Sequence, residues 1–323
     1  LMFFQVSRKK MAVVGVLFFL QIRVAVSIIT SGLDIATRED TVAATRSEYL
    51  AIQTQVLWHY IRLFAIPLGL RLEYEPPSPS SWGDTLVILA AIAHLTVLGI
   101  ALFFARKKPV PAFGVLFYYT ANLIESSVLP IRDVAVEHRT YLPNVGLCIV
   151  VGWLVSELHA RYQNWRSALG LATVVVVAVL LIMTVQRNLL WRDPVAFFEQ
   201  NTRLEPNSIR AWGQLATSNI DRKNYSAAYS ALQKIDRAKL NDNTREQYYT
   251  NLVIALTGMD RPNEAIDVGK QVLDAKLVNN PTRRAVMLNN MAVSYAALGY
   301  GEQAMRSLEE SLRLNPNNED VIR

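Results

Sequence analysis

An uncharged apolar run of about 20 residues leaves a chain few choices of fold, and this chain holds several. The strongest lies at 165–187, built around Val174-Val175-Val176-Val177-Ala178-Val179-Leu180-Leu181-Ile182, with no charge between Arg166 and Arg187. A helix rises about 1.5 Å per residue, so about 20 residues cross the roughly 30 Å hydrocarbon core of a bilayer. Four further stretches, 11–30, 84–105, 109–125 and 142–159, are predicted to do the same, the third and fourth near the lower length limit of about 17 residues. Residues 1–6 read as the tail of an earlier span. Any one run could be a buried helix of a soluble protein, but five in series without amphipathic patterning point to a polytopic membrane bundle.

Composition divides the 323 residues in two. Of 33 Lys/Arg and 27 Asp/Glu, residues 1–190 hold 16 and 11, and residues 191–323 hold 17 and 16. The first part is about 14% charged and the second about 25%, the usual level for a soluble domain. A single soluble domain, a disordered chain and a disulfide-rich secreted fold are all excluded. The lone Cys148 sits in an apolar run and is expected to be a small buried hydrophobe. The net charge of +6 comes without a basic patch interleaved with aromatics, so no nucleic-acid partner is expected.

Charge also gives an orientation. One set of loops carries Arg8, Lys9, Lys10, Arg106, Lys107, Lys108, Arg161 and Arg166 against Glu157 alone; the other carries seven arginines and ten acids. The basic side is expected to be cytoplasmic. Everything after residue 187 then lies outside it, in a periplasm or a lumen. In the long external loop, Tyr49, Ile52, Val56, Leu57, Tyr60, Leu63 and Phe64 recur at helical spacing, with Gln53, Gln55, His59 and Arg62 on the other side and Pro67 at the end. This predicts an amphipathic helix in the outer interface, with Trp58 and Tyr60 at headgroup depth.

Residues 191–323 carry an internal repeat. With Ala285 as position 1 of a 34-residue tetratricopeptide unit, Leu288, Met291, Ala292, Tyr295, Ala304, Leu308, Ser311 and Pro316 occupy the signature positions. Weaker copies start at Ile209 and Glu246, and a half-repeat at 194–208 precedes repeats at 209–242, 246–279 and 285–318. The predicted fold is all-α: a bundle of about five spans over 1–190, then a tetratricopeptide α-solenoid over 191–323. A repeat stack presents a concave face suited to a protein or peptide, to which Arg210, Gln247, Thr250 and Asn289 would contribute; a spacer role stands beside this one. The chain begins at Leu1 and stops within a repeat, and is expected to be a piece of a longer protein.

Ionisable residues at membrane depth are functional candidates. Arg23 is expected to snorkel to the outer interface, and His94 to be a hydrogen-bonded core histidine. No metal-ligand cluster, phosphate loop or nucleophile elbow occurs, so neither metal nor cofactor is expected. The Glu137-His138-Arg139 run, followed by Tyr141 and preceded by Glu125, Arg132 and Asp133, could hold a lipid-linked phosphate, with Arg139 or Arg132 as cation and Glu137 orienting it. The alternative is an internal Glu–Arg pair that pins the loop.

The order of these elements resembles the TMTC family of transmembrane, repeat-containing O-mannosyltransferases with the GT-C fold. Glu137, Arg139, Tyr141, Leu142, Pro143 and Gly146 fit that family's Glu-Arg…Tyr-x-Pro-Ser-x-Gly pattern, Asn144 replacing the serine, and Arg187-Asn188 with Trp191-Arg192-Asp193-Pro194 also resemble it. So does the segment Tyr49…Thr54-Gln55…Tyr60…Arg62-Leu63…Pro67…Tyr74. The resemblance implies an inverting transfer of a mannose-like sugar from a polyprenyl-phosphate donor to an extracytoplasmic protein hydroxyl, in a bacterial inner membrane. It also implies catalytic acids in a loop upstream of Leu1, so none is carried over and this chain alone is expected to be inactive. The Glu137–Tyr141 loop, with His138, would wall the lipid-phosphate site, and the repeats would recruit the acceptor. Two rivals are a non-enzymatic membrane-anchored repeat scaffold for envelope assembly and an O-antigen polymerase or ligase relative.

Overall fold

The computed structural model describes residues 45–72, 74, 81–123, 126 and 134–316; the apolar run at 11–30, with Arg23, lies outside them. Among the described residues the chain is helical, with no strand. It divides into two compact units, residues 1–173 and 174–323.

In the first unit, α1 (Arg46–Ala65) opens with a capping box, Thr45 accepting from the Glu48 amide and the Glu48 carboxylate from the Thr45 amide, both at 3.1 Å. Helices α2 (Thr85–Phe104), α3 (Pro109–Asn122) and α4 (Tyr141–Arg161) follow, and α5 (Arg166–Leu190) runs across the boundary between the units. Among the described residues, three segments are long and apolar enough to cross a membrane: Thr85–Phe104, Glu137–Arg161 and Gln163–Leu190. The last two residues of the span expected at 109–125 lie outside the described residues. Helix α3 has 14 residues, about 21 Å of rise. It stops at Asn122, a buried amide that turns back to donate to the Tyr118 carbonyl at 2.9 Å.

Helices α3 and α4 cross with almost nothing between their backbones. A Cβ on Gly114 would meet the Gly146 carbonyl oxygen at 2.6 Å, and one on Gly146 would meet the Gly114 oxygen at 2.4 Å. Small residues at such a crossing let helices approach as membrane packing requires. Further along the same pair, Lys108 Nζ lies 3.3 Å from Glu157 and 5.4 Å from the Trp153 ring centroid. The pair is therefore antiparallel, and the two basic turns share one end of the unit.

Helix α1 differs from the interfacial helix expected. Tyr60 is 1% exposed, and Tyr49, Ile52, Val56 and Leu63 are buried with it against Tyr74, Val134 and Ala135. Trp58 donates to the Ala90 carbonyl at 3.2 Å and stacks on His94 at 4.6 Å between centroids. The His94 ring bonds at both nitrogens, to the Tyr119 hydroxyl at 2.7 Å and the Thr54 carbonyl at 2.9 Å. A carbonyl only accepts, so Nε2 carries the proton and Nδ1 accepts from Tyr119. Gln53, assigned by periodicity to the polar side, is 1% exposed and donates to the Val134 carbonyl at 2.9 Å. Cys148, expected to be buried, is exposed on α4, as are the apolar side chains around it that would meet lipid.

The second unit contains α6 (Pro194–Leu204), α7 (Ile209–Asp221), α8 (Tyr225–Leu232), α9 (Asp242–Gly258), α10 (Pro262–Asp274), α11 (Pro281–Ala297) and α12 (Gly301–Leu314). From α7 on these form three helix pairs, and one core runs through them from Leu215 to Ala304. Small residues set the spacing. A Cβ on Gly258 would strike the Tyr225 ring at 2.3 Å, and one on Gly269 the Met291 sulfur at 2.4 Å. Glu246 ties successive pairs together, accepting from the Asn279 and Asn280 amides at 2.8 and 3.0 Å and from Arg283 at 3.2 Å. At the start of the unit the Arg187 guanidinium lies 5.7 Å from the Trp191 ring centroid and 5.2 Å from that of Phe197, and bonds Gln200 at 3.3 Å. Asp193 caps α6 through the Ala196 amide and receives Arg222 at 2.8 Å.

The α3–α4 crossing gives the first prediction. Gly146→Val forces a side chain into a carbonyl and should destabilise the purified protein by about 3 kcal/mol, the upper end for overpacking. Gly152→Val on the same helix, where nothing lies within 4 Å, should change the thermal unfolding midpoint little. Equal midpoints for the two variants would refute the close crossing.

Candidate functional site

The cluster of ionisable groups around Glu137 is built by a reversal after α1. Pro67 follows the helix end at Ala65, and Gly69, at φ +72°, adopts the left-handed conformation that glycine takes without strain. The chain then returns along α1 and sets Arg71 and Tyr74 beside His59. The Tyr74 amide donates to the Ala135 carbonyl at 3.3 Å, and the Tyr60 hydroxyl accepts from the Val136 amide at 2.9 Å. These bonds hold the segment before α4, where Glu137–Thr140 forms a short 3-10 turn.

Glu137 points into this reversal. Its carboxylate accepts from the Arg71 amide and, at 2.9 Å, from the Tyr74 hydroxyl. The Arg71 guanidinium lies 4.8 Å from the Tyr74 ring centroid, and the His59 ring meets Tyr74 edge-on at 4.5 Å. Burial, then the neighbouring Glu137 charge, raises the Tyr74 phenol, so it stays protonated and donates. Burial, then the Arg62 and Arg71 charges, lowers His59 from 6.5 to about 4, so it is neutral at pH 7. Its buried Nε2 has no hydrogen-bond partner among the described residues.

The expected residues distribute unevenly over this geometry. Glu137 is central, and orients the Arg71–Tyr74 segment. Arg139 is half-buried on the same turn, His138 is exposed, and Tyr141 is 86% exposed at the start of α4. Asn144 donates to the Thr140 hydroxyl at 3.3 Å. Arg132, with Glu125 and Asp133, lies outside the described residues. His59, Arg71 and Tyr74 were not singled out from sequence as site residues. His59 and Arg62, three apart on one helix face, followed by a proline–glycine reversal with Arg71 and Tyr74 beyond it, carried the signal.

On the helix pairs, Arg210 and Asn289 are half-buried. Gln247 reaches the Thr217 hydroxyl at 3.4 Å, where Asn251 also donates at 2.9 Å. Thr250 is buried, and its hydroxyl returns to the Glu246 carbonyl at 2.8 Å. Among the described residues no group of three His, Cys, Asp or Glu side chains could hold a metal ion.

No protein-family model matches the chain. Over 148 residues, 46% of its length, it is 30% identical to Protein O-mannosyl-transferase Tmtc2 of Drosophila melanogaster. The match takes in 14% of that protein's length. The likeness supports a relationship to TMTC-type proteins at the level of the family.

His59 sets a pH dependence. Its folded-state value lies below its unfolded one, so the neutral form is favoured by folding and the stability it contributes is lost as pH falls. Stability of the membrane unit should decline from about pH 6.5 to about pH 4 and level off below. His59→Gln, neutral throughout, should flatten that slope, followed by tryptophan fluorescence during denaturation in detergent; an unchanged slope would show that His59 is not the titrating group.

Proposed function

We propose that this chain is part of an integral-membrane glycosyltransferase that moves a mannose-like sugar from a polyprenyl-phosphate donor to a protein hydroxyl on the extracytoplasmic side of a bacterial inner membrane, or the lumenal side of a secretory membrane. The likeness to an O-mannosyl-transferase supports the reaction class. The observation that carries the reading is the Glu137 cluster, where Arg62 and Arg71 lie near His59 and Arg139 stands on the Glu137 turn, at the end of the membrane unit remote from the basic turns.

In such a transfer the acceptor hydroxyl attacks the anomeric carbon as the bond from that carbon to the phosphate oxygen breaks. Negative charge grows on the departing lipid phosphate. Arginines suit that charge because a guanidinium offers several donors in a fixed fork and stays protonated. In this reading Arg71 and Arg139 hold the phosphate, and Glu137 and Tyr74 set the backbone that carries Arg71. Neutral His59 offers Nε2 without adding charge, while His138 and Tyr141 line the approach. No carboxylate of the described residues is assigned as the base. The helix pairs are read as three tetratricopeptide repeats that recruit the acceptor, with Arg210, Gln247 and Asn289 nearest the concave face. The basic turns at 105–108 and 161–166 would face the cytoplasm, in keeping with the Lys/Arg rule.

The second reading is a membrane-anchored repeat scaffold without catalysis, favoured by the helix pairs alone. One assay separates the two. In the full-length protein, Arg71→Ala and Arg139→Ala should each lower sugar transfer from a polyprenyl-phosphate donor by about 100-fold, the scale for removing one charge-stabilising donor. Arg71→Lys should recover part of it. Full turnover in both alanine variants, with normal expression, would remove the cluster from the site, and no transfer by the unaltered protein would favour the scaffold.

A further inference from the structure

The basic turns at the other end of the membrane unit form a surface of their own. Lys108 reaches from the α2–α3 turn to Glu157 at 3.3 Å and over Trp153 at 5.4 Å, so this turn is locked to the last part of α4. Arg161 lies one helical turn beyond Glu157, about 6 Å along the axis, with its guanidinium 5.9 Å from the Tyr162 ring centroid. Arg106, Lys107, Arg161 and Arg166 are exposed, and none pairs with a carboxylate among the described residues. The aromatic side chains beside them are exposed too, Trp165 to 66% and Tyr162 to 48%.

Unspent cations beside exposed aromatics, at the ends of span-length helices, fit one partner class better than others. Trp and Tyr rings favour headgroup depth. Clustered Lys and Arg immediately beyond a span attract acidic lipids. Insertion topology needs only net positive charge in the loops, whereas here the Lys108–Glu157–Trp153 contact fixes two loops side by side and leaves four cations facing outward.

We propose that Arg106, Lys107, Arg161 and Arg166, framed by Tyr162 and Trp165, form a binding face for the phosphate headgroups of anionic phospholipids in the leaflet opposite the Glu137 cluster. The inference stands whether or not the Glu137 cluster binds a sugar donor. For the test, full-length protein is reconstituted in nanodiscs of phosphatidylcholine with phosphatidylglycerol, extracted, and its retained lipids counted by native mass spectrometry. Phosphatidylglycerol should be enriched over phosphatidylcholine. At about fivefold per juxtamembrane cation, changing all four residues to Gln should weaken that preference by roughly 600-fold and abolish the enrichment. Changing Lys223, Lys234, Lys276 and Arg313, exposed on the helix pairs, to Gln removes the same charge elsewhere and should leave the enrichment intact. Because losing the four cations also weakens the topology signal, the unaltered protein is titrated with salt as well. Enrichment should fall as the screening length shrinks from about 10 Å at 0.1 M to about 3 Å at 1 M. Absence of enrichment, persistence in the four-site variant or at 1 M salt, or equal loss in the control variant would each overturn the proposal.

Discussion

A polar group in hydrocarbon must find its partner within the protein, and in this membrane unit α1 supplies the partners. Trp58 donates to the Ala90 carbonyl and Gln53 to that of Val134, the Thr54 and Leu57 carbonyls accept from His94 and Tyr118, and Tyr60 receives the Val136 amide. One helix thereby ties α2, α3 and the segment before α4 together, through bonds that gain strength where water is scarce. The Glu137 cluster depends on this frame. Tyr74 and Val136 sit where they do because Ala135 and Tyr60 hold them, and Glu137 follows at the next residue.

The second unit rests on a different constraint. Its helices pack through residues with little or no side chain, such as Gly258 against Tyr225 and Gly269 against Met291. Polar staples between successive pairs then fix the register: Glu246 with the 279–280 amides, Ser311 with the Ala285 carbonyl at 2.8 Å, and Thr257 with Ser294 at 3.0 Å.

Helix positions in both units were legible in the sequence wherever hydrophobic spacing decides them. Leu288, Met291, Ala292, Tyr295, Ala304 and Ser311, chosen by spacing, are all buried. The apolar runs at 84–105, 142–159 and 165–187 correspond to helices of crossing length. Periodicity failed where a polar side chain does structural work. Gln53 and Trp58 read as a polar face and an interfacial anchor, yet both spend their donors on carbonyls of distant segments. The same limit explains the site. Glu137 was visible as a charged run, but its partners lie 63 and 66 residues earlier, brought there by a reversal whose geometry no local pattern encodes.

The hydropathy break near residue 190 is not the seam of the folded chain. Trp191 and Phe197 share the guanidinium of Arg187, which belongs by composition to the last apolar run and by contact to the helices after it. A cut placed at the compositional boundary would strip from both aromatic rings the cation they share. Anyone isolating the second unit would do better to carry the last turns of α5 along with it.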